Sequence, residues 1–151
     1  MQRALDQARS AAARGEVPVG AVVTDGAGAV LAATGNAVEA RHDPTAHAEL
    51  LALRAAAIQR GQKYLADCTL TVTLEPCPLC AAAISLFRIK RLVFGAYDPK
   101  SGGVEHGPRL FNHDTCHHRP EVIGGVAECE SAALLRDFFE NRRNPAKSAG
   151  R

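Results

Sequence analysis

The chain has 151 residues, 46% of them apolar and 23% charged, with a formal net charge of +2. That length favours one domain with a real core, and that composition excludes a disordered, collagenous or disulfide-scaffold chain. The charge is close to balanced, so it does not by itself demand nucleic acid, although Arg142, Arg143, Lys147 and Arg151 crowd one end.

Taken in chain order, Ala4 to Ala13 carries Leu5, Ala8 and Ala12 at helical spacing, and Gly15 stops that helix. Residues 20 to 24 read as a buried strand. Asp25-Gly26 marks a turn, and residues 30 to 33 return as its partner. Asp43-Pro44 suits an N-cap and first helical residue, opening a helix that runs to about Gly61. Residues 68 to 74 form a third strand, 77 to 87 a helix, and 91 to 95 a fourth strand. Residues 104 to 120 are polar and aperiodic, 121 to 125 a short fifth strand. Residues 128 to 143 are a last helix with Ala132, Leu135 and Phe139 on one stripe. Strands alternating with helices predict a three-layer α/β/α domain, with strands three and four joined by a parallel crossover. The expected domain covers 1–144, and 145–151 reads as a disordered tail.

The five cysteines, Cys68, Cys77, Cys80, Cys116 and Cys129, form no regular framework. The first thirteen residues carry Arg3, Asp6 and Arg9 and make no apolar signal segment, and no stretch is apolar enough to span a bilayer. A reducing cytoplasm is expected, with metal rather than a disulfide at Cys77-Pro-Leu-Cys80.

The chemistry rests on His47-Ala-Glu49 followed by Pro76-Cys77-Pro78-Leu79-Cys80. His47, Cys77 and Cys80 make three zinc ligands, which suits a catalytic site with one position left for water. Both groups sit near predicted helix starts, where orphan N–H groups favour thiolate. Glu49 is left over to move protons. H-x-E…P-C-x-x-C is the general signature of zinc nucleobase deaminases, in which a zinc-activated water attacks an amino-bearing ring carbon. A structural zinc knuckle is the alternative for a lone C-x-x-C, but it needs a fourth ligand, and Cys68, Cys116 and Cys129 lack a second paired spacing. His117-His118 could form a rival metal pair; substrate contact or plain exposure fits adjacent histidines better.

Four blocks resemble bacterial tRNA-specific adenosine deaminases: Arg41-His-Asp-Pro-Thr-Ala-His-Ala-Glu49, Val72-Thr-Leu-Glu-Pro-Cys77, Val93-Phe-Gly-Ala-Tyr-Asp-Pro-Lys100, and Ala133 to Arg143. Glu16-Val-Pro-Val-Gly-Ala21 adds to them. The resemblance covers nearly the whole chain. The zinc motif alone identifies only the cytidine-deaminase-like superfamily, and the flanking blocks select the tRNA branch. The resemblance implies a five-stranded mixed sheet with helices on both faces, a homodimer, and one Zn2+ per chain held by His47, Cys77 and Cys80. It implies hydrolytic conversion of adenosine to inosine at the wobble position of an arginine tRNA with an ACG anticodon. Asn36 and the backbone at Ala48 would meet the nucleoside, and Asp98 would lie beside the anticodon backbone. Asn36 after Gly35 also suits an ordinary turn. Two other functions remain open from the residues: a free nucleobase or nucleoside deaminase acting on cytosine or guanine, and a non-catalytic RNA-binding protein with structural zinc.

Overall fold

A computed structural model describes residues 1–148. Helix α1, Gln2–Ala13, buries Ala4, Leu5, Ala8 and Ala11 on one face and ends before Gly15, whose φ of 84° only glycine adopts without strain. Strands β1, Gly20–Thr24, and β2, Val30–Gly35, pair as an antiparallel hairpin. Asp25 shapes its turn by accepting the N–H groups of Ala27 and Ala29, both at 2.9 Å. A short helix, α2, follows at Val38–Arg41, then α3, Ala48–Arg60, β3, Thr69–Leu74, and α4, Pro78–Leu86. Strand β4 is Arg91–Ala96 and β5 is Glu121–Ile123, with a 3₁₀ turn at Leu110–Asn112 between them. Helix α5 is Glu128–Arg143, and one further helical turn, α6, spans Pro145–Ser148. The tail expected to be disordered from 145 therefore begins with that turn, and residues 149–151 lie outside the described ones.

The five strands form one mixed sheet in the order β2-β1-β3-β4-β5. β1 is antiparallel to β2 and β3, while β3, β4 and β5 run parallel, as the β3-α4-β4 crossover requires. Helices α3 and α4 pack together on one face, α1 and α5 on the other. On the α3/α4 face, Val23, Leu70, Val72, Leu92 and Phe94 meet Leu53 and Ile84 in the main core. The opposite helices approach the sheet at glycines. A Cβ at Gly20 would come within 1.9 Å of the Ala4 carbonyl oxygen, and one at Gly95 within 2.4 Å of Ser131 Oγ. No helix among the described residues is long and apolar enough to cross a membrane.

Two local features differ from the sequence expectation. Asp43-Pro44 does not start a helix. The Asp43 carboxylate accepts both the N–H and the hydroxyl of Thr45, at 2.8 and 2.7 Å, closing a tight turn, and α3 begins only after His47. Helix α2 was not expected. Its first N–H groups, Glu39 and Ala40, donate to the buried carboxylate of Glu16 at 3.1 and 2.8 Å. That partner lies far upstream, and no local pattern announces it.

Candidate metal centre and substrate cavity

Parallel strands deliver their carboxyl ends to one edge of the sheet, where helix N-termini gather. β3 ends at Leu74 and passes through Glu75-Pro76 to Cys77, the residue preceding α4, with Pro78 at the first helical position, where its missing N–H costs nothing. His47 precedes α3 in the same way. Cys80 follows one turn into α4, so its sulfur and that of Cys77 turn toward the same point. His47 Nδ1 lies 3.4 Å from the sulfur of each cysteine. A tetrahedral zinc with ordinary Zn–S and Zn–N bonds holds its sulfur and nitrogen ligands roughly 3.6 Å apart, so the donor set fits that ion in type and spacing. His47, Cys77 and Cys80 form a three-member group; no fourth His, Cys, Asp or Glu joins it among the described residues.

The protons of this cluster are shared. Hydrogen bonding from Cys80 holds the Cys77 thiol down to about 4, against its burial and with help from His47. Cys80 is pushed well up by its bond to Cys77 and by burial. His47 is raised by the Cys77 thiolate beside it, against its own burial. A metal ion binding here would displace whatever protons these three groups hold.

Glu49 sits in the first turn of α3, 4% exposed. Burial raises its carboxyl to about 7, and the Cys77 charge adds to the rise. It borders a cavity of about 320 Å³ shared with His47, Cys77, Asn36 and Asp98, a volume suited to a small ligand. Asn36 lines the same cavity. Its side chain is buried, and Oδ1 finds no hydrogen-bond partner among the described residues. Ala48 lines the cavity at the head of α3, with its carbonyl tied to Thr34 Oγ1 at 2.7 Å. Asp98 Oδ1 accepts the N–H groups of Lys100 and Ser101, at 3.2 and 3.0 Å, so part of this carboxylate shapes the wall itself. Arg142 reaches the rim from α5, and Arg143 borders an adjoining groove of about 730 Å³ with Tyr97 and Phe139.

The other candidates lie elsewhere. His118 Nε2 bonds the Ile89 carbonyl oxygen at 2.7 Å, and His117 borders a separate cavity behind α4. Cys68 contacts Arg60, Cys116 contacts Ser85, and Cys129 is exposed, so none supplies a fourth ligand. Two buried carboxylates at the cavity escaped the sequence reading. Glu16 holds α2, and Glu75 gathers the loop after β4. The Gly102-Gly103 pair, which a tightly seated loop needs, was the available signal for the second.

Residues 1–96 match the family model for the cytidine and deoxycytidylate deaminase zinc-binding region. The chain is 54% identical over 144 residues to a tRNA-specific adenosine deaminase of Agrobacterium fabrum, covering 95% of this chain and 93% of that protein. The chain belongs to the tRNA-specific adenosine deaminases. A Bacillus subtilis member is 40% identical over 149 residues, covering 99% of this chain and 92% of the relative. A solved structure from a study of A-to-I editing by tRNA:A34 deaminases superposes with a TM-score of 0.87 at 52% identity, covering 89% of this chain and 97% of that one. This deaminase therefore has the cytidine-deaminase-like fold, is a hydrolytic enzyme, and carries a site matched to one Zn2+.

Proposed function

We propose that the deaminase converts adenosine to inosine at the wobble position of a tRNA, its substrate being the arginine tRNA with an ACG anticodon. His47, Cys77 and Cys80 hold the zinc, and Glu49 moves the protons. The observation that carries this reading is the convergence of the His/Cys/Cys group, the buried Glu49 and the unpaired Asn36 oxygen on one cavity.

Bound zinc supplies a Lewis acid that makes water a nucleophile at neutral pH. Exchanging the C6 amino group of adenine for oxygen moves both protons of the attacking water: one passes to ring N1, and the other, from the hydroxyl added at C6, passes to the departing amine. Glu49, buried at the cavity beside His47 and Cys77, is placed to take a proton and to give it back. Glu16 and Glu75 border the same cavity but are engaged by backbone N–H groups, which leaves Glu49 for this work. Asn36 and the backbone at Ala48 orient the nucleoside, and Asp98 lies beside the ribose-phosphate chain. A base inside a stack cannot enter such a cavity, whereas an anticodon loop offers bases that can be splayed out. Arg142 at the rim and Arg143 in the adjoining groove suit phosphate.

Residues 1–144 act as the deaminase domain, with 145–151 as a tail, in the cytoplasm. A homodimer forms across α4. Ala81 and Ala83 face the chain's own core, leaving Leu79 and Leu86, 43% and 62% exposed, for the partner. Light scattering checks this: a dimer mass is expected, and a monomer mass of about 16.0 kDa counts against it.

The substrate class is tested by offering zinc-loaded protein an anticodon-arm RNA, free adenosine, free cytosine and free guanine, and measuring ammonia release. The RNA should be turned over and the small molecules poorly. Efficient turnover of a free base with none on the RNA would make this chain a nucleobase deaminase. Zinc binding with no turnover of any would make it a binding protein.

A further inference from the structure

Glu75 stands two positions before Cys77, and its side chain is fully shielded from solvent. Five donors converge on its carboxylate. Oε1 accepts the Asp98 N–H at 3.1 Å and lies 2.8 Å from His106 Nδ1. Oε2 accepts the N–H groups of Val104, Glu105 and His106 at 3.3, 3.1 and 3.1 Å. Every one of these donors belongs to residues 98–106. The carboxylate thus organises one segment, the segment that brings Asp98 and Ser101 to the cavity wall. The same segment is pressed against the other wall. Gly103 N–H donates to the Pro76 carbonyl oxygen at 2.8 Å. A Cβ at Gly103 would come within 2.6 Å of Pro78 N, and one at Gly102 within 2.2 Å of Glu75 Oε2. The loop is seated with no room for a side chain on the carboxylate and on the turn that presents Cys77.

We infer that Glu75 and His106 form a lock that fixes 98–106 against the Cys77 turn and so sets the width of the nucleoside cavity. Glu75 is a positioning residue: it acts through Asp98 and Ser101. A buried carboxylate is tolerable only when its oxygens are fully hydrogen-bonded, and here that satisfaction is supplied by the segment being positioned. His106 is the accessible end of the lock, its side chain 35% exposed and its ring edge-on to Tyr97 at 6.1 Å. Losing the His106 bond loosens the wall without touching His47, Cys77, Cys80 or Glu49.

This inference rests on the deaminase reading for its kinetic arm alone. The test compares zinc-loaded wild type with His106→Ala, His106→Asn and Glu75→Gln. Zinc content, amide hydrogen exchange, and kcat and KM on an anticodon-arm RNA are measured. In His106→Ala, zinc content should stay at the wild-type level, and the amides of Val104, Glu105 and His106 should lose protection. KM should rise about tenfold, the loss of one charge-assisted hydrogen bond, with kcat changed much less. His106→Asn places an amide N–H near the position of Nδ1 and should restore most of the protection and the KM. Glu75→Gln should exceed His106→Ala in both respects; if it does not fold, the His106 pair decides. Unchanged exchange in His106→Ala, or a fall in kcat at constant KM, overturns the lock. A wild type that binds zinc and leaves the RNA untouched defeats the substrate reading instead, and amide exchange then decides the lock alone.

Discussion

Replacing Glu49 by glutamine keeps the size of the side chain and removes its proton chemistry, so it separates what this carboxylate does for the reaction from what it costs the fold. The cost follows from its burial. The folded chain holds the carboxyl at about 7, while the unfolded chain releases it at the ordinary 4.5. Below 4.5 both states are protonated and no penalty exists. As pH rises the unfolded chain ionises first, and stability falls until the folded carboxyl also ionises. At about 1.4 kcal/mol per pH unit, that interval amounts to ~3 kcal/mol. In zinc-stripped protein, Glu49→Gln should therefore match wild type at about pH 4 and exceed it by up to ~3 kcal/mol at about pH 8, read from denaturant unfolding. The zinc-loaded variant should lose at least ~10²-fold in deamination rate, the lower range of general acid–base catalysis, with its zinc retained. A variant that deaminates at the wild-type rate, or that gains no stability between the two pH values, refutes the reasoning.

Arg142→Ala with Arg143→Ala should weaken RNA binding and flatten the slope of log affinity against log salt by about 1.4, because each of two phosphate contacts on a single strand contributes ~0.7; zinc content should not change. Gly20→Ala drives a Cβ into the backbone of α1 and should cost ~1–3 kcal/mol or more, seen as a lower thermal midpoint, whereas a substitution that leaves the midpoint unmoved would contradict the close seating of α1 on β1.

The elements that were legible in the sequence are those whose signal is local. The apolar run 20–24 and the stripe of Ala132, Leu135 and Phe139 matched β1 and α5 at both ends. The grouping of His47, Cys77 and Cys80 was legible because imidazole and thiolate at this spacing suit few purposes besides metal. The start of α3 was misplaced because Asp43-Pro44 satisfies the rule for a helix entrance, yet Thr45 captures the Asp43 carboxylate first. Helix α2 and the seated loop 98–106 were not legible, because their determinants, Glu16 and Glu75, act across 23 to 31 residues of chain. A buried glutamate that accepts distant backbone N–H groups looks, in sequence, like any surface glutamate. Asn36 was assigned through resemblance, and the structure places it at the cavity with its Oδ1 unpaired among the described residues.

The central claim is tested most directly on the whole substrate. Purified zinc-loaded protein is incubated with unmodified arginine tRNA bearing the ACG anticodon, and each adenosine is then read by reverse transcription, where inosine appears as guanosine. The account predicts conversion at the wobble adenosine alone, abolished in Glu49→Gln. Wobble adenosine left intact by a protein that carries its zinc, or conversion spread over other adenosines of the tRNA, would contradict it.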